Sequence, residues 1–430
     1  MKTARLLFGV VLLAALLSCG RAKPGFCPPA TPAGSTLASI DSLMGRHPDS
    51  AFALLQEFTV NPEADSLDVF SRHYCQLMVS ELLYRNDCGQ SNRDAVLKAR
   101  PYFDSLSEAF PKDPALALLS ARAHYMKGVG YYERDSVTEA CREYLQALEI
   151  MEGRFEEKEL VGQKARFMAL IYTHLTELFS DLYLHEQAIC FGRKALDYYG
   201  KIKNSPSHLA WMLDEIGAQY EMMEQLDSAD CYYLKAAVGL NDTGSLIYRD
   251  IAIHGACLSY KRTKNTQLPL FQLRKLLAQS EDEREYLARC LAMGDVFYHE
   301  TQYDSAWLYL KRVYSGTTSV GAKKQAAEWL LEICRKQGRA PEMSEYAVFL
   351  APFANQAENN SACKSQLVAL YNAYTHERSD RLRRQEISRG EKWTMLALGG
   401  NLLLALAVVL LFYMSRKRKR CLEARNNADR

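Results

Sequence analysis

The sequence contains no metal-ligand motif, no nucleophile elbow and no glycine loop for phosphate. Its nine histidines never form HExxH and do not cluster with cysteine, which removes the usual zinc sites. GxSxG, the P-loop and the dinucleotide fingerprint are all missing, so hydrolase, nucleotide and nicotinamide chemistry have no candidate residues. The chain is therefore read as non-enzymatic, with no catalytic, metal-binding or cofactor-binding residue assigned.

Strong charge of one sign is missing too. The formal net charge is +2. Lys2 and Arg5 give the leader +2, and seven Arg/Lys against two Asp/Glu give the tail after Met414 +5, leaving about −5 for the body. A weakly acidic body excludes nucleic acid as a partner. Strand-like alternation is nearly absent, while 48% hydrophobic and 24% charged residues are ordinary for a folded chain. An all-α fold follows.

Cysteine is present without the spacings that give it chemistry. Ten of the 12 lie between residues 20 and 393, none in a CxxC pair. Most fall on apolar helical faces, where a free thiol behaves as a small hydrophobe. In an exported chain a disulfide between Cys75 and Cys88 stays open as an alternative.

Residues 1–19, "MKTARLLFGVVLLAALLSC", have a basic start and an apolar run too short to cross a bilayer, which reads as an export signal. The ending "LLSC" resembles a bacterial lipobox. That resemblance implies lipidation at Cys19; the alternative is an ordinary signal with an incidental cysteine. Residues 20–35, rich in Pro, Gly and Ala, read as a tether.

The middle of the chain repeats. Gly128 is followed by Tyr131, Ala140, Tyr144 and Ala147, and Gly217 at the same offsets by Tyr220, Ala229, Tyr233 and Ala236. Gly294 is followed likewise by Phe297, Ala306, Leu310 and Val313. A fourth copy keeps Phe179, Ala188 and Ala195 but has Thr176 where the glycine belongs. The triplet "DSA" at Asp49, Asp227 and Asp304 opens amphipathic runs, where Ser or Asp is expected to cap free amides.

This pattern resembles the tetratricopeptide repeat (TPR). The resemblance implies an α-solenoid of helical hairpins over 36–359, clearest over 120–315, with small residues where helices cross closely. Family proteins bind partners in a concave groove lined by the first helix of each hairpin. Carried across, the groove positions are Arg122, Tyr125, Tyr132, Glu133, Glu177, Trp211, Asp214, Glu221, Asp295 and Tyr298. Such a lining is aromatic and acidic and suits an extended peptide with basic side chains. The Lys/Asn clamp for a C-terminal carboxylate is not matched, because Tyr125, Asp214 and Leu291 occupy comparable places.

Residues 360–393 read as a capping or juxtamembrane helix. Residues 394–414 carry no charge and are long enough to cross about 30 Å of hydrocarbon as a transmembrane helix. Trp393 and Tyr413 flank them, and Arg416, Lys417, Arg418, Lys419 and Arg420 follow, which sets the 415–430 tail in the cytoplasm and the repeats outside or in the periplasm. Ala397, Asn401 and Ala405 share one face, where a homodimer would pack; the alternative is a lone helix that merely tolerates them.

The order of parts resembles membrane-anchored TPR proteins of Bacteroidetes-like bacteria. In that group an outside repeat domain leads through one membrane helix to a cytoplasmic output domain, for which residues 415–430 are too few. The expectation is a single-pass inner-membrane scaffold binding a protein or peptide, the sensory part of a signalling system. The alternative is a carbohydrate-binding or nutrient-capture lipoprotein of the cell envelope.

Overall fold

A computed structural model describes residues 32–45, 47–60, 67–85, 94–203, 206–240, 245–265 and 267–428. The export signal, Cys19 and the tether up to residue 31 lie outside the described residues, as does Cys88. All secondary structure among the described residues is helical. The chain divides into a repeat unit up to Val368 and a C-terminal unit from Ala369.

The helices form successive antiparallel hairpins: α1 (Pro32–Met44) with α2 (Pro48–Val60), α3 (Val69–Arg85) with α4 (Asp94–Ala109), and α5 (Pro114–Tyr132) with α6 (Val137–Arg154). There follow α7 (Gln163–Asp181) with α8 (His185–Tyr199), α9 (Pro206–Met222) with α10 (Leu226–Val238), and α11 (Leu246–Thr263) with α12 (Gln267–Ala278). The last are α13 (Glu283–His299) with α14 (Tyr303–Gly316), then α15 (Val320–Gln337) and the long α16 (Ala340–Ala428). Each hairpin also packs on the next, as a solenoid requires. Residues 360–393 and 394–414 are therefore parts of one helix that begins at Ala340.

The glycines of the repeat are fixed by packing. A Cβ on Gly128 would lie 2.6 Å from the Tyr144 ring, one on Gly217 2.6 Å from Tyr233, and one on Gly294 2.6 Å from Leu310. The large residue of the second helix thus lies flat on the glycine of the first, and only hydrogen fits between them. Tyr144 and Tyr233 turn their other side to the next hairpin, with rings 5.6 Å from His174 and 5.6 Å from His254 respectively. In the fourth copy the sizes are exchanged: Thr176 takes the small position and Gly192 the large one.

Asp135, Tyr183, Glu224, Lys264 and Thr301 have left-handed backbone, with φ of 60°, 57°, 58°, 52° and 59°. Each stands seven residues after the small position of its hairpin. Lys264 thereby exposes another copy, in which Cys257 replaces glycine and Tyr260, Pro269 and Leu273 follow in register, all buried. Caps differ from expectation at two of the "DSA" helices. The residues before α10 and α14 are Gln225 and Gln302, neither side chain makes a cap bond, and Asp227 and Asp304 lie inside the first turn.

Apolar cores run between the layers. Leu37, Ile40, Met44, Leu55 and Met78 close one end, and Met293, Leu310, Leu330 and Tyr346 the other. The described cysteines are all free thiols, and Cys75, Cys141, Cys290 and Cys334 are buried. In the C-terminal unit, α16 is long and apolar enough to cross a membrane, and its apolar side chains from Trp393 to Met414 are exposed.

Candidate binding groove

The first helices of four successive hairpins, α1, α3, α5 and α7, enclose a pocket of about 590 Å³, within the range of small-ligand sites. At its floor Arg122 of α5 forks onto two carboxylates. Its Nη2 lies 2.7 Å from Asp41 Oδ1 and 2.6 Å from Glu81 Oε2, while Nη1 and Nε donate to the same two groups at 2.9 and 2.8 Å. Asp41 also accepts from the Tyr74 hydroxyl at 2.6 Å. Burial opposes the charge on Asp41, but the Arg122 guanidinium holds its carboxyl below the usual carboxylate range. Removing one member would strand a buried charge, so this triad is structure first.

Two further guanidiniums stand at the mouth, on the C-terminal end of α1. Arg85 Nη1 donates to the Met44 carbonyl at 2.5 Å, and Arg166 Nη1 to the Gly45 carbonyl at 3.2 Å. Beneath them lies an aromatic bed. Tyr125 is buried, with ring centroids 5.5 Å from Phe167 and 5.5 Å from His174, and the Tyr84 hydroxyl lies 3.0 Å from His174 Nε2.

Farther along, the lining turns acidic. The Tyr132 hydroxyl donates to Asp181, and Glu177 lies 3.2 Å from His174 Nδ1. Asp214 lies 2.9 Å from His254 Nδ1, and Glu221 accepts from Lys261 at 2.6 Å and from the Tyr233 hydroxyl at 2.7 Å. Burial, together with the charges of Asp214 and Glu177, pushes the Glu215 carboxyl above its usual range. Asp295 reaches His299 at 3.6 Å, and Tyr298 packs on Trp329 with centroids 4.2 Å apart.

The expected groove residues thus fall into groups. Arg122 and Tyr125 meet at the pocket, and Tyr132 and Glu177 lie beside Asp181 and His174. Asp214 and Glu221 are already engaged by the next hairpin. Trp211 is half-buried on α9, and Glu133 is the C-terminal cap of α5. Sequence reading missed Asp41, Glu81 and Arg85, because their hairpins lack the consensus, and Arg166, because it lies outside the positions that the consensus carries across. The available signal was Arg122 itself, a lone cation in an otherwise acidic lining that needs carboxylate partners.

No protein-family model and no curated protein matches the chain. Solved structures do. The apo form of RapI aligns over 80% of this chain and 95% of its own, with TM-score 0.53 and 11% identity. A Rap protein complexed with competence and sporulation factor aligns over 80% and 99%, with TM-score 0.50 and 12% identity. NprR in complex with its cognate peptide NprX aligns over 83% and 100%, with TM-score 0.50 and 16% identity. At such identities the likeness is one of fold: a TPR-like helical solenoid.

Proposed function

We propose that this chain is a non-catalytic exported scaffold, held in the inner membrane by residues 394–414, whose concave groove binds a peptide or an extended segment of a protein. The observation that carries this reading is the pocket built by the first helices of four consecutive hairpins, with aromatic walls and charged groups at its mouth. Fold neighbours solved with a peptide or with competence and sporulation factor support it. The apolar stretch of α16 and the cluster Arg416 to Arg420 support the single-pass topology with the repeats outside. A bound partner would act through α16, the helix that runs from Ala340 to Ala428.

Two measurements test the proposal. Full-length chain in detergent, incubated with randomised octapeptides, should retain a defined subset; retention of none would overturn the binding reading. In cells the chain should resist alkaline carbonate extraction, fractionate with the inner membrane and lose its repeats to protease added to spheroplasts. Recovery in the outer membrane would instead favour nutrient capture by an envelope lipoprotein.

A further inference from the structure

We infer that the pocket between α1, α3, α5 and α7 is a carboxylate receptor that fixes the direction in which a peptide lies in the groove. This rests on the peptide-binding reading and names the group that the pocket takes.

The pocket is lined by the cations Arg85, Arg122, Lys164 and Arg166 and by the carboxylates Asp41 and Glu81. Arg122 is consumed by both carboxylates at once. Arg85 helps Arg122 to lower Asp41 at longer range, but neither Arg85 nor Arg166 forms an ion pair within 4.0 Å among the described residues; each gives one N–H to a carbonyl of α1's C-terminal end. Those carbonyls belong to the consecutive residues 44 and 45, so the two guanidiniums converge on one spot and are held by backbone. Lys164 keeps its ammonium over the Phe155 ring, 4.3 Å from the centroid. Two oriented guanidiniums with free N–H groups match the planar, bidentate demand of a carboxylate, and they repel the basic side chain that the acidic consensus positions suggest.

The rest of the groove enforces the polarity. Asp181, Asp214 and Glu215 lie on α7 and α9, beyond the pocket, where burial and then the neighbouring Asp214 and Glu177 carboxylates push Glu215 upward. A carboxylate placed among them would be repelled. The anionic end of a bound peptide therefore points to the first hairpins, and any basic residue to the later ones.

The test compares two randomised octapeptide libraries, one ending in a free carboxylate and one in a carboxamide, on the full-length chain in detergent. Wild type should favour peptides carrying a terminal carboxylate or an Asp or Glu side chain. Loss of binding on amidation assigns the main-chain carboxylate; binding that survives amidation but needs Asp or Glu assigns the side chain. Arg85→Met and Arg166→Met should each reduce the preference for acidic over neutral peptides about tenfold. A purely structural role would weaken acidic and neutral peptides alike and leave that ratio unchanged. Where a Met variant fails to fold, Arg85→Lys and Arg166→Lys keep the charge but lose the fork, and should lower the same ratio. Peptides retained with no acidic preference, or with a ratio untouched by these substitutions, overturn the inference and leave the groove reading standing. Retention of no peptide by wild type overturns both.

Discussion

Gly128 and Gly130 sit two residues apart on α5 and have opposite requirements. A methyl on Gly128 would collide with the Tyr144 ring, whereas one on Gly130 meets nothing within 4 Å. Gly128→Ala should therefore destabilise by about 1–3 kcal/mol through overpacking, and Gly130→Ala should stabilise by about 0.5–1 kcal/mol through helix propensity. Urea melts of the two variants check both signs. A second residue-scale test concerns His124, buried between Glu143, 2.6 Å from its Nδ1, and Asp104, 3.2 Å from its Nε2. Burial disfavours its charge, but the two carboxylates raise it above the ordinary 6.5, and it in turn helps to hold them below 3.8 and 4.5. The histidine's contribution is full below pH 6.5 and fades as pH climbs through the raised value. The carboxylates contribute fully above pH 4.5 and fade as pH falls. Stability from this cluster should peak between those limits, so the melting temperature should drop from pH 5.5 to pH 8.5 in wild type, and His124→Gln should flatten that drop.

Elements were legible in the sequence wherever one residue type answers one contact. The hairpins around Gly217 and Gly294 follow directly from the consensus, because glycine, aromatic, alanine and large residue each occupy a place only that size fits. The fourth copy shows only part of the consensus because Thr176 and Gly192 exchange sizes, and the hairpin α11–α12 departs further from it because Cys257 is small without being glycine and Pro269 stands where alanine belongs. The charged partners of Arg122 were not legible. Asp41 and Glu81 lie 81 and 41 residues away, and no local period records which hairpin faces which. The same holds for the early part of α16, which reaches back to α6. Thr138 Oγ1 lies 3.4 Å from Cys363 Sγ and 3.1 Å from Gln366 Oε1, Lys364 sits 5.3 Å from the Tyr183 ring centre, and Leu367 is fully buried. Thr138→Cys should therefore form a disulfide with Cys363 under mild oxidation. A reducible cross-link between the two fragments on a gel, after protease cleavage between them, would report it. Failure to cross-link would show that α16 does not dock there.

At the scale of the molecule, composition and motif gave the all-helical solenoid, while the charge of single positions did not reveal the pocket at the first hairpins. The consensus positions are acidic on balance, yet the pocket at the first hairpins carries more cations than carboxylates, because non-consensus residues supply Arg85 and Arg166. A groove is the sum of many hairpins, so its polarity emerges only once they are stacked. The left-handed residues at the hairpin turns add up in the same way. A side chain in that conformation costs about 1–2 kcal/mol relative to the right-handed form, and the array holds Asp135, Tyr183, Glu224, Lys264 and the β-branched Thr301 in it. In a solenoid, where stability is close to a sum over repeats, these turns form a reserve that glycine could release. Thr301→Gly should raise the melting temperature, and the gain should grow as further turns are converted. The natural array is thus held below the stability its own architecture permits.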